Sequence, residues 1–158
     1  MKMTLVKLKK QHFPLFYKWW NNPVLRKLTS NKFKKITNDE VGEILNKHLY
    51  DKDYHDYVIV IDGVSIGHIL FHKKKNRKYF EAYIAIGERK YWDKGIGTQS
   101  LVKACNIFFR NKPNEDAITI QALVDNHRAI ACYKKVGFQK KRIIKCKENS
   151  TVLMKLSK

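Results

Sequence analysis

The chain has 158 residues, 44% of them hydrophobic, and a formal net charge of +19 from 33 basic and 14 acidic side chains. This length and apolar content suit one cored domain, so a single domain over residues 1–158 is expected. No apolar run reaches the length that crosses a membrane, and Met1-Lys2-Met3-Thr4-Leu5-Val6-Lys7 lacks the continuous apolar segment of a leader. Cys105, Cys132 and Cys146 are odd in number and lack Cys-x-x-Cys spacing. The expectation is therefore a cytoplasmic protein with no membrane association, no disulfide framework and no metal.

In chain order, Thr4 to Leu8 alternates as a first strand. His12 to Asn21 reads as a helix with Phe13, Phe16, Tyr17 and Trp20 at i, i+3, i+4 and i+7, stopped by Pro23. Thr37-Asn38-Asp39-Glu40 opens a second helix whose apolar face is Val41, Ile44, Leu45, His48 and Leu49. Two strand-like runs, Tyr57 to Ile61 and Ser65 to His72, are joined by Asp62-Gly63, a strong hairpin signal. Asn76-Arg77-Lys78 turns the chain into a strand over Phe80 to Ile86. A glycine loop follows, then a helix from Thr98, a strand from Ala117 to Val124, and a helix after Asn126. A terminal strand pair, Lys140 to Lys145 and Thr151 to Leu156, completes the order β-α-α-β-β-β-α-β-α-β-β. His68 and His72 alternate on a half-buried strand and are read as ordinary core or surface histidines.

Two stretches carry chemistry. In Lys90-Tyr91-Trp92-Asp93-Lys94-Gly95-Ile96-Gly97-Thr98, a strand leads through Gly-x-Gly into a helix N-terminus. The unpaired first amides and the helix dipole there favour an anion, and residues without Cβ let it approach closely. A dinucleotide fingerprint is excluded because the residue three after Gly97 is Ser100 and Ile118 to Ala122 carries no acid; a Gly-Lys-Ser/Thr phosphate loop is also absent. The second stretch, Asp125 to Phe138, has the pattern Asn-x-x-Ala-x-x-x-Tyr-x-x-x-Gly-Phe. Asn126 caps a helix, Ala129 and Tyr133 share a face, and Gly137 ends it in the left-handed region.

Together these stretches resemble the Gcn5-related N-acetyltransferase (GNAT) superfamily over about residues 4–156. Trp20-Asn21-Asn22-Pro23, Glu81 and the Tyr-Trp-x-Lys-Gly-x-Gly-Thr loop are similar to its ribosomal-protein and aminoglycoside branch. Two positions depart from the family loop: Trp92 stands where Gln or Arg is usual, and Asp93 where Gly is common. The resemblance implies an α+β fold with a mixed central sheet of about seven strands and about four helices. It implies acetyl transfer from acetyl-CoA, as co-substrate, to a primary amine by direct attack. Lys94, Gly95, Ile96, Gly97 and Thr98 would hold the pyrophosphate, and Asn126 and Tyr133 the pantetheine end. A splayed strand would expose the backbone of Ile84, Ala85 and Ile86 to the acetyl group. Strand alternation sets Glu81 and Tyr83 opposite Phe80, Ala82 and Ile84, making Glu81 the candidate base or amine-binding residue and Tyr133 the candidate acid.

The acceptor stays open between a ribosomal-protein N-terminus, the amino sugar of a nucleotide sugar and another small amine. Gln121, where an aminoglycoside enzyme would place an aspartate, counts against aminoglycosides. The charge comes from 27 lysines and 6 arginines scattered in runs no longer than Lys73-Lys74-Lys75. Such a field draws anions generally but supports a nucleic-acid partner only weakly. The alternative reading is a non-catalytic module that binds RNA or an acidic partner through this basic surface. The sequence leaves the oligomeric state undetermined.

Overall fold

The computed structural model describes residues 1–29 and 34–158. Its strands are β1 Met3–Lys7, β2 Tyr54–Ile61, β3 Val64–His72, β4 Phe80–Ile86, β5 Ala117–Leu123, β6 Gln139–Ile144 and β7 Thr151–Ser157. They form one mixed seven-stranded sheet ordered β1-β2-β3-β4-β5-β7-β6. The helices are α1 Phe13–Trp20, α2 Pro23–Thr29, α3 Asn38–Tyr50, α4 Ile96–Asn111 and α5 His127–Val136. The fold is the expected α+β arrangement, with one more helix than the sequence suggested.

The extra helix is α2. Pro23 does end α1, but it also occupies the first position of a new helix, where its missing N–H costs nothing. The Asn22 side-chain oxygen accepts from Val24 N at 3.0 Å and Leu25 N at 3.4 Å, which caps the new turn. Asn21 holds the neighbouring chain: it donates to Ile36 O at 2.9 Å and accepts from Ile36 N at 2.9 Å. The α3 start follows the expected capping box, with Thr37 accepting from Glu40 N and the Glu40 carboxylate accepting from Thr37 N at 2.8 Å.

Strand alternation divides the core between the two faces of the sheet. Ile59, Ile69, Phe71, Ala82, Ile118 and Ile120 pack with Leu101, Ala104 and Phe108 of α4. On the opposite face Val58 packs with Phe16 and Trp19 of α1, Leu25 of α2, and Val41 and Leu45 of α3. One sequence expectation is corrected here. The face that α1 buries is set by Phe16 and Trp19, while Tyr17 stays 38% exposed. Gly87 explains the difference, because a Cβ there would overlap the Trp19 indole. Trp19 is thus drawn against the end of β4, where its Nε1 donates to Glu88 at 2.9 Å.

The feature that positions the site is a split in the sheet. β4 and β5 run parallel and pair only through Phe80–Ile118, Glu81–Thr119 and Ala82–Ile120. β4 nevertheless continues beside β3 as far as Ile86, and β5 beside β7 as far as Leu123. Beyond Ala82 the two strands therefore diverge and leave a gap with helices on either side.

Candidate active site

A cleft of about 1170 Å³ passes through this gap. Glu81, Ile84, Ala85, Ile86, Gly95, Ile96, Gly97, Thr98, Asn126 and Tyr133 all line it, so the sequence candidates from β4, α4 and α5 converge. Lys94 is exposed on the loop between Asp93 and Gly95, which both line the cleft.

On one side of the gap, α4 begins two residues earlier than its periodicity suggested. Gly95 is its N-cap at φ 73°, a left-handed conformation that glycine adopts without steric cost. Ile96, Gly97 and Thr98 carry first-turn amides, which by helix geometry lack intrahelical partners. Gly97 is not left-handed, and a Cβ there would meet only Cys132 Sγ, at an ordinary 3.6 Å. Neither packing nor backbone requires glycine at 97. The turn leaves these amides open to close approach by an anion, a geometry that suits a pyrophosphate.

The two departures from the family loop form a clasp around this cradle. Trp92 Nε1 donates to Ile86 O at 2.8 Å, tying the loop to the splayed end of β4. Its ring carries the Arg128 guanidinium 4.4 Å from the centroid. Asp93 sits at φ 58°, with its side chain 72% exposed and 3.1 Å from Arg128 Nε. The aspartate thus turns outward onto α5, and its charge is matched by Arg128.

Tyr133 reaches the cleft from α5 and is 6% exposed. Its hydroxyl has no hydrogen-bond partner among the described residues. Burial, and secondarily Cys132, pushes the phenol above its ordinary pKa. Asn126 caps α5 by accepting from Ala129 N at 3.2 Å, and its amide donates to Leu28 O at 3.3 Å. It therefore links α5 to α2 at the edge of the cleft.

Glu81 and Tyr83 lie on the other face, the one covered by α1–α3. The Glu81 carboxylate accepts from Lys74 Nζ at 3.3 Å and from Gln121 Nε2 at 3.1 Å. Gln121 in turn accepts from Thr151 Oγ1 at 2.8 Å. Burial opposes the Lys74 charge, but Tyr83 and Glu81 more than offset it and hold this lysine above its ordinary pKa. Gln121, which the sequence suggested only as a missing acid, is the residue that orients Glu81.

Sequence reasoning passed over a third group. Asp56 of β2 lies within 2.9 Å of His48 Nδ1 through Oδ2 and within 3.3 Å of His68 Nδ1 through Oδ1. The Asp56 side chain is 0% exposed, and both histidines line the cleft. Burial opposes its ionisation most strongly, yet the two histidines, hydrogen-bonded to it through both rings, hold its carboxyl below the ordinary range. These residues stand 8 and 12 positions from Asp56; the pairing of β3 with β2 brings His68 to it and the packing of α3 on β2 brings His48. Among the described residues no His, Cys, Asp and Glu cluster suits a metal ion.

Residues 2–139 match the sequence profile of the acetyltransferase (GNAT) domain family. The fold is also that of several solved structures. A spermidine N-acetyltransferase from Vibrio cholerae, in complex with CoA and spermine, superposes with a TM-score of 0.85 at 20% identity, covering 98% of this chain and 95% of that one. The aminoglycoside acetyltransferase AAC(6')-Ib in complex with coenzyme A gives 0.84 at 19% identity, covering 99% and 95%. A GNAT-family acetyltransferase from Bacillus anthracis gives 0.82 at 15% identity, covering 99% and 95%.

Proposed function

The chain belongs to the GNAT family of acetyl-CoA-dependent N-acetyltransferases, and we propose that it acetylates a primary amine by direct attack with both substrates held together in the cleft. The observation that carries this reading is the continuity of that cleft. One open path runs from the free amides of α4, through the gap between β4 and β5, to the polar face around Glu81. A thioester lying in the gap would have its phosphates at the α4 cradle and its carbonyl beside the backbone of Ile84, Ala85 and Ile86. A backbone N–H aimed at that carbonyl would stabilise the developing oxyanion by about 3 kcal/mol. Lys94, exposed beside Gly95, would add charge near the phosphates, and Asn126 would order the far wall. Tyr133, protonated and on the cofactor side, would donate to the departing sulfur. Glu81, already oriented by Gln121 and paired with Lys74, would attract and align the acceptor amine from the opposite face.

The charges lining the cleft support an acceptor that is not a polycation. Among the described residues that line it, Arg26, Lys34, Lys35, Lys74, Arg128 and Lys135 stand against Glu40, Glu81 and Asp93, and Asp93 and Glu81 already face cations. A cationic wall repels a polyamine and favours an uncharged amine, or one borne on an anionic molecule. Relatives of the same fold have been crystallised with spermine and with kanamycin, so these two are the informative controls. With free CoA measured across a panel of amines, a neutral or anion-bearing amine or a peptide N-terminus is expected to give a higher kcat/KM than either control. A polycation tenfold better than every neutral amine would overturn the acceptor class. No amine-dependent CoA release from any compound would overturn the transfer itself.

A further inference from the structure

The polar group left unused by this reading is the buried carboxylate with a histidine on each oxygen. Register fixes where it lies. On β3, His68 stands directly opposite Ala85 of β4, and Val58 of β2 opposite His68. His68 is thus beside the stretch of β4 that has already parted from β5. Glu81 instead lies opposite Thr119, where the two strands are still paired. Four residues of extended strand, about 13 Å, separate Glu81 from Ala85. Of the two groups on the acceptor face, His68 is the nearer to the place where a thioester carbonyl would rest.

The ring is also held as a proton acceptor needs to be. Its Nδ1 faces Asp56 at 3.3 Å. It stacks on Trp19 with an interplanar angle of 4° and contacts Phe16 at a centroid distance of 4.5 Å. These contacts fix the imidazole, and a hydrogen on Nδ1 directed at Asp56 leaves Nε2 as the acceptor. That nitrogen has no partner among the described residues and is not one of the sealed polar atoms, while the ring lines the cleft. Asp56 is fixed from the other side by His48 Nδ1, and the His48 ring itself stacks on Tyr54 at 4.6 Å.

We propose that His68 takes the proton of the acceptor amine, with Asp56 and His48 as positioning residues that hold its ring and balance the charge it gains. The proposal rests on the acetyl-transfer reading and assigns the proton acceptor that reading lacks. His68 Nε2 removes one proton from the acceptor ammonium and becomes an imidazolium facing the Asp56 carboxylate. The freed nitrogen lone pair forms the C–N bond as the C–S bond breaks. Tyr133 protonates the departing sulfur, the second proton shed by the new amide nitrogen restores the phenol, and the proton on His68 passes to solvent. An ammonium and a thioester thus give an amide, a thiol and one released proton.

The test begins with an amine that the wild-type protein turns over, which settles the acetyl-transfer reading separately. His68→Gln is then expected to lower kcat by about a hundredfold, with the fold judged by circular dichroism and with CoA affinity and the amine KM little changed. Glu81→Gln should give the reverse, a raised amine KM with a smaller change in kcat. His48→Gln, acting only through Asp56, should lower kcat by a smaller factor at unchanged KM for both substrates. In a folded His68→Gly variant, added imidazoles of increasing basicity should restore the rate in order of their pKa. A His68→Gln kcat within threefold of wild type would overturn the assignment. So would rescue that is absent or indifferent to basicity, since a ring needed only for packing would respond to size alone.

Discussion

At the scale of the residue, the proposed cofactor site rests on Gly97, where neither packing nor backbone requires glycine, and on Tyr133, a core residue that also lines the cleft. The Tyr133 phenol is buried and pushed above its ordinary pKa, so it remains protonated at neutral pH, as a proton donor must. Tyr133→Phe keeps the ring and its contact with Phe138 and removes only the hydroxyl. It is expected to lower kcat by about a hundredfold while calorimetry finds acetyl-CoA affinity unchanged. A kcat within threefold of wild type would reduce Tyr133 to a packing residue. The glycine turn before α4, the Asn126 cap and the helix face that carries Tyr133 were legible from spacing, because caps and helix faces are local properties of the chain. The histidines were not. His68 reads from the sequence as one more residue on an alternating strand, and its meaning depends on Asp56 and His48, which the fold brings from two other elements. Gln121 was likewise legible only as an absence until its hydrogen bond to Glu81 was seen.

At the scale of elements, the loop before α4 is held by contacts that reach across the fold. Trp92 binds the last carbonyl of β4, and Arg128 of α5 covers the Trp92 ring while pairing with Asp93. Three elements around the α4 cradle are therefore fixed through one indole. Trp92→Phe retains a ring for Arg128 but leaves the Ile86 carbonyl without its donor, a loss of about 1 kcal/mol. If the clasp preorganises the cradle, acetyl-CoA should bind roughly fivefold more weakly to this variant. Unchanged affinity by calorimetry in a folded variant would detach the clasp from cofactor binding. The hairpin was legible because Asp62 and Gly63 both adopt positive φ, at 47° and 82°, as a primed two-residue turn requires. The helix α2 was not. Its seven residues are too few to establish a period, and a proline that ends one helix is the same proline that can begin the next.

For the whole molecule, the residue pattern foretold the succession of strands and helices apart from α2, but not the order of the strands in the sheet. β7 lies between β5 and β6, so the last two strands are a pair in which the final one, not the first, meets the sheet. This arrangement follows from the apolar residues Val152 and Met154, which join the core shared with Ile118 and Ile120, whereas β6 is largely exposed. The same sheet separates the face of α4 and α5, which the proposal gives to the cofactor, from the face of α1–α3, which it gives to the acceptor, and the split between β4 and β5 is where the two faces meet. Two substrates approaching one gap from opposite faces should react in a ternary complex. Cys132, which also lines the cleft, is a thiol that an acetyl-enzyme route could use. The decisive measurement is the initial rate with acetyl-CoA and an accepted amine varied together. Intersecting double-reciprocal lines, with no CoA released before amine is added, are expected. Parallel lines together with a stoichiometric burst of CoA in the absence of amine would contradict direct transfer across the gap.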